Sequence, residues 1–155
     1  MNIILSHAPM CNRKFPTSCA LCQARLEALD EAMRYNANNA ELAHKLGWTN
    51  IVELGGSLLG CPAGGAPNSR DQAKIPDWCG DWQAAGDLIA QYQVCVRIWP
   101  DGVKARIDRV PVSHYSKFAN HRDRATSIRY AIVRTVMLHL EFANTRDASE
   151  MEQTS

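Results

Sequence analysis

Apolar and polar positions alternate along this chain with two different periods, and the switches between them mark out the elements. Between residues 18 and 35, Cys22, Leu26, Leu29 and Met33 recur every three or four positions, with Arg25, Glu27 and Glu31 on the other side. That spacing predicts an amphipathic helix, with Thr17 or Ser18 as its N-cap. The asparagine-rich stretch at residues 36–39 interrupts it. Asn38 and Glu41 then make a capping-box pair for a short second helix, which Gly47 stops. Residues 49–54 and 57–59 flank Gly55-Gly56, a dipeptide suited to the positive φ angles of a two-residue hairpin turn.

Residues 60–74 are rich in glycine, proline and small polar side chains, so they read as a surface loop. They lack the Gly-Lys-Ser/Thr ending with which a phosphate-binding loop reaches its phosphate and magnesium. A helix follows over residues 81–92, expected to bury Trp82, Ala85, Ile89 and Tyr92. The period then drops to two. Val94, Val96 and Ile98 alternate with Cys95 and Arg97 up to the turn Pro100-Asp101-Gly102. Beyond it Val103, Ala105 and Ile107 alternate with Lys104, Arg106 and Asp108. This hairpin has one apolar face and one largely basic face. Residues 111–121 read as an irregular connection. A long helix over 123–141 carries Ala125, Ile128, Ile132, Val136 and Leu140 on one side, and residues 144–155 are polar and acidic, as in a disordered tail.

The elements predict an α+β fold, a two-layer α/β sandwich of antiparallel hairpins packed by helices, with a helical N-terminal appendage. The expected division is an appendage over residues 1–40, a sandwich domain over 41–141 and a flexible tail over 142–155. A length of 155 residues, 46% hydrophobic and 21% charged, suits one ordinary globular domain. The longest apolar run is too short to span a bilayer, and Met1 and the residues after it have no basic flank of the kind a signal peptide carries. The expectation is a cytoplasmic protein with its six cysteines reduced.

The net charge of +1 conceals an asymmetry. Residues 1–93 carry 7 basic and 9 acidic side chains, residues 94–141 carry 9 and 4, and residues 142–155 carry 1 and 3. The basic surplus therefore belongs to the second hairpin and the last helix, where it suits an anionic partner.

One resemblance bears on origin. The landmarks Leu46-Gly47-Trp48, Ile75-Pro76-Asp77-Trp78 with Asp81 and Ala84-Ala85, the strand pair, and Ala125-Thr126-Ser127-Ile128 resemble the phage ABA sandwich domain over about residues 41–141. Cys79 stands where such sequences commonly place a Ser or Thr cap, and the first forty residues have no counterpart. The resemblance implies a two-layer sandwich and a phage accessory protein working in the host cytoplasm. It brings no catalytic residues with it.

Candidate chemistry comes from two clusters. His7, Cys11, Cys19 and Cys22 supply four ligands of the kind zinc takes, with Cys19 and Cys22 at knuckle spacing near a helix start, which suggests a structural zinc. The alternative is that these cysteines are small helix residues and the others incidental. Cys61, Cys79 and Cys95 with His114 or His121 match no nucleophile signature, so no catalytic residue is expected. Asp77 and Asp81 are explained by capping of the middle helix. The partner-binding set is Arg97, Trp99, Lys104, Arg106, Arg122 and Arg129, arginines and lysine beside an aromatic, as phosphate contact or a protein interface would use. The leading expectation is a noncatalytic accessory protein that binds a host protein, such as an inhibitor of an antiviral-defence component. The alternative is a zinc-stabilised nucleic-acid-binding or regulatory module. No membrane partner is expected, and the state is monomer or homodimer.

Overall fold

A computed structural model describes residues 20–64 and 72–152. In chain order they form α1 (Ala20–Lys45), β1 (Thr49–Leu54), β2 (Ser57–Cys61), β3 (Ala73–Lys74), α2 (Trp82–Tyr92), β4 (Val94–Ile98), β5 (Gly102–Ile107), β6 (Ser113–Lys117), a 3-10 turn (Phe118–Asn120) and α3 (Arg124–Glu152). The strands make two antiparallel three-stranded sheets, β1-β2-β3 and β4-β5-β6, and the fold is an α+β sandwich with an N-terminal helix. Among the described residues no helix is long and apolar enough to cross a membrane.

The core lies where α3 crosses the inner face of β4-β5-β6. Ala131, Ile132, Val133, Val136 and Met137 of the helix are essentially buried, and they meet Val94, Val103, Ala105 and Ile107 of the sheet. The apolar alternation read from the sequence is the inner face of β4 and β5, and burying each branched side chain stabilises the fold by about 2 kcal/mol. Two glycines close the first hairpin as expected, Gly55 and Gly56 having φ 58° and 79°. Asp81 caps α2 by accepting from the Gln83 and Ala84 amides, and α2 buries Ala84, Ala85 and Leu88. Trp82, expected inside, lies on the rim of that face and is 47% exposed.

Three expectations about elements give way. The asparagines at 36–39 do not break the first helix, which is continuous over 26 residues. Asn38 bonds back to the Arg34 carbonyl, and Asn39, 2% exposed, reaches out to Asp77 and to the Cys79 amide, so both amides are satisfied without leaving the helix. The connection at 111–121 contains a third strand, β6, paired with β5 from Gly102↔Lys117 to Arg106↔Ser113. Its inward positions are His114 and Ser116, polar residues that hide the apolar alternation. The last helix runs on to Glu152, well past the boundary expected at residue 141. At the other end, the stripe of Leu26, Leu29 and Met33 forms on α1 as expected but stands exposed.

Candidate functional site

Pairing in the second sheet decides which basic residues share a surface. On β5 the odd positions Val103, Ala105 and Ile107 point into the core, so Gly102, Lys104 and Arg106 face outward. Register then sets Arg97 and Tyr115 on either side of Lys104, Cys95 and Ser113 on either side of Arg106, and Lys117 opposite Gly102. Trp99 follows at the end of β4, its amide bonded to the Gly102 carbonyl. Arg97, Lys104, Arg106, Ser113, Tyr115, Lys117 and Cys95 are all exposed, because α2 and α3 cover only the inner face.

The aromatic pair on this face is built into it. The Tyr115 ring lies across Gly102, where a β-carbon would come within 2.5 Å of the phenolic oxygen and 2.6 Å of the Ser116 carbonyl. Only glycine leaves room for the ring there. Trp99 meets Tyr115 edge-on, with centroids 6.2 Å apart, and the Arg97 guanidinium sits 5.1 Å from the Trp99 ring centre. The Tyr115 phenol is raised above its ordinary value by desolvation among its neighbours and by the nearby Asp101 carboxylate. Asp101 and Asp108 are carboxylates at the two ends of β5, at the edge of a surface bearing Arg97, Lys104, Arg106 and Lys117.

Of the six residues expected to bind a partner, Arg97, Trp99, Lys104 and Arg106 come together here. Arg122 lies elsewhere: it is exposed ahead of α3, paired with Asp123 at 3.2 Å. Arg129 is interior, 5% exposed, and its cation is committed. Its Nε donates to the Cys79 carbonyl at 2.9 Å, its Nη2 to Thr126 Oγ1 at 3.2 Å, and the guanidinium packs 5.0 Å from the Trp82 ring centre. Sequence reasoning left Tyr115 and Lys117 out of the site because β6 was read as irregular. The alternation of Ser113, Tyr115 and Lys117 against His114 and Ser116 was the available signal.

On the opposite side, α1 and the start of α3 border an open cleft of about 970 Å³. At its base a chain of polar groups crosses from β6 to α1. Ser127 Oγ donates to Ser116 Oγ at 3.0 Å, Ser116 Oγ lies 2.8 Å from His121 Nε2, His121 Nδ1 lies 2.7 Å from the Tyr35 hydroxyl, and that hydroxyl donates to Glu31. Each member is satisfied when His121 is neutral with its proton on Nδ1, giving a donor order that ends on the Glu31 carboxylate. The arrangement has the outline of a serine–histidine–acid triad, but Ser116 is 4% exposed and its oxygen is already engaged by His121 and Ser127. Cys79, buried in the turn before α2, has a thiol pushed up to about 12 by burial, with the Asp77 carboxylate adding to it, and so stays protonated. Both groups serve the packing.

His7, Cys11 and Cys19 lie outside the described residues, and Cys22 falls in the first turn of α1. Among the described residues no group of three or more His, Cys, Asp or Glu side chains is placed to hold a metal ion. No protein-family model, curated protein or solved structure matches this chain.

Proposed function

We propose that this protein acts by binding, without catalysis of its own, and that the outer face of β4-β5-β6 is the surface it offers to an anionic macromolecular partner. The observation that carries this reading is the convergence of Arg97, Lys104, Arg106 and Lys117 around the Trp99–Tyr115 pair on a sheet face left open by the helices. The burial of Ser116 and Cys79 supports the noncatalytic part. In this reading the likeness to phage sandwich domains makes the chain a small accessory protein in the host cytoplasm. Its partner is then a host component, an antiviral-defence protein among them, which it inhibits by occupying an acidic surface. Tagged protein drawn through a bacterial host lysate is expected to retain a stoichiometric partner that Arg97→Glu with Arg106→Glu loses. Retention by the folded double variant would remove the face from the reading.

The ligand set His7, Cys11, Cys19 and Cys22 keeps a structural zinc ahead of α1 in the proposal, on the strength of its residue types and spacing. Native mass spectrometry tests it as one bound zinc per chain, lost on Cys19→Ser with Cys22→Ser, and the same spectrum reads monomer against homodimer.

A further inference from the structure

We propose that the outer face of β4-β5-β6 is a binding site for single-stranded nucleic acid, in which Tyr115 and Trp99 stack on bases and Arg97, Lys104, Arg106 and Lys117 meet phosphates; this rests on the reading of that face as the working surface for an anionic partner and takes that partner to be a nucleic acid in place of a host protein. Three features of the face favour this occupant.

The first is what the face lacks. Its outward positions are Cys95, Arg97, Gly102, Lys104, Arg106, Ser113, Tyr115 and Lys117, with Trp99 at the corner. Protein interfaces are built around an apolar core and are poor in lysine. This surface has no aliphatic side chain at those outward positions, and two of its four cations are lysines. Aromatic rings among cations, with nothing aliphatic between them, suit a ligand made of flat bases and charged phosphates.

The second is the geometry of the rings. Tyr115 is 41% exposed, the tip of its ring lies over Gly102, and Trp99 packs against it edge-on. An exposed ring on a sheet face can stack on a base only when the base is out of a duplex, since paired bases expose edges and not faces. The Arg97 guanidinium beside Trp99 adds a third planar group of the kind that stacks on a base.

The third is charge placement. Arg97 and Lys104 are cross-strand partners, Arg106 lies two residues further along β5, and Lys117 lies opposite Gly102, so cations flank the rings along and across the strands. A five-residue strand spans roughly 17 Å and the three strands roughly 10 Å from first to last. That area accommodates about four nucleotides, the lower end of the range for a single small domain.

The test uses the full chain and dye-labelled 12-nucleotide single strands of DNA and RNA, with a duplex of the same sequence, read by fluorescence anisotropy. One or both single strands are expected to bind at 50 mM salt. With up to four phosphates neutralised at about −0.7 each, the affinity falls about fiftyfold by 200 mM. Trp99→Leu and Tyr115→Leu each weaken binding about tenfold with the salt slope unchanged. Arg97→Gln with Arg106→Gln flattens the slope by about 1.4, and Arg25→Gln on α1 changes nothing. A preference for one sugar identifies which nucleic acid the site takes and supports the proposal either way.

The proposal is overturned if folded wild-type protein ignores both single strands at 50 mM, or if the duplex binds as tightly as they do. It also falls if neither ring variant weakens binding, which would leave bare charge. Where single strands fail to bind yet Arg97→Glu with Arg106→Glu still strips a protein partner from the lysate, this inference falls and the broader reading of the face stands. If that variant keeps its partner, the reading of the face falls too.

Discussion

Arg106 and Arg129 carry the same side chain on elements that pack together, β5 and α3, and their settings are opposite. Arg106 stands on the open side of the sheet beside Lys104, in water that solvates its charge. Arg129 lies under Trp82, where its Nε and Nη2 hold the Cys79 carbonyl and Thr126. A cation withdrawn from water is tolerated only with its donors paired, and once paired it fixes the groups it touches. Arg129 therefore ties the turn before α2 to α3, while the outer cations are held by little and remain available to a ligand. Charge counted along a sequence merges these two roles, and burial separates them.

The comparison breaks most visibly at Arg129. Arg129→Met keeps much of the side-chain volume but leaves the Cys79 carbonyl without its donor, and it is expected to destabilise the fold by about 3 kcal/mol in urea titration. Arg97→Gln with Arg106→Gln is expected to stay within about 0.5 kcal/mol of wild type, as surface changes usually do. Comparable losses from the two variants would mean that the outer arginines are structural as well.

Asn39 sharpens the same contrast from the other side of the turn. Its amide donates to Asp77 Oδ1 at 2.8 Å and its carbonyl oxygen accepts the Cys79 amide at 3.1 Å. Asn39→Ala leaves a buried backbone N–H unpaired, and a loss of about 2 kcal/mol is expected. A further step down is the α2 cap, where Asp81→Ala removes the acceptor for two amides and is expected to cost about 1 kcal/mol in the same titration. Neither change touches the outer face, so oligonucleotide binding by the folded fraction should be unaltered. A parallel loss of binding would show that the turn and the sheet are coupled.

The sheet and its outer face were legible where the chain follows simple periods. Val94 to Ile98 and Val103 to Ile107 alternate cleanly, so Arg97, Lys104 and Arg106 could be grouped from spacing alone. Legibility stopped where polar residues do the work of apolar ones. His114 and Ser116 face inward on β6 because His121, Ser127 and Tyr130 meet them there, and no local pattern announces partners on another element. The same is true of Asn38 and Asn39, which read as a helix break until the acceptors and donors from Arg34, Asp77 and Cys79 are brought alongside. Arg129 was placed on the correct helix but grouped with the exposed cations, since Cys79, whose carbonyl it holds, is 50 residues away in sequence.

The smallest effect is expected where the two regions respond to pH. His114 and His121 are both held below their ordinary value. For His114 the causes are burial, then the Arg134 and His121 charges; for His121 they are burial, then Arg34, opposed by Glu31 and Asp123. A histidine that resists its proton when folded favours the unfolded chain once that chain takes the proton up. The stabilisation from the neutral form is therefore full above about pH 6.5 and declines as the pH falls through that value toward the depressed ones. Protonating His121 would also place a hydrogen on Nε2 against Ser116, whose own donor would then lose its acceptor, and the link from β6 through Tyr35 to Glu31 on α1 would loosen. Wild-type urea midpoints are expected to be flat from pH 8 to 7 and to fall between 6.5 and 5, with a shallower fall in His121→Gln. An unchanged slope in that variant would show that His121 does not titrate in this window. The outer sheet should behave differently over the same range, because no histidine stands among its outward positions and its hold on a single strand should follow salt far more than pH.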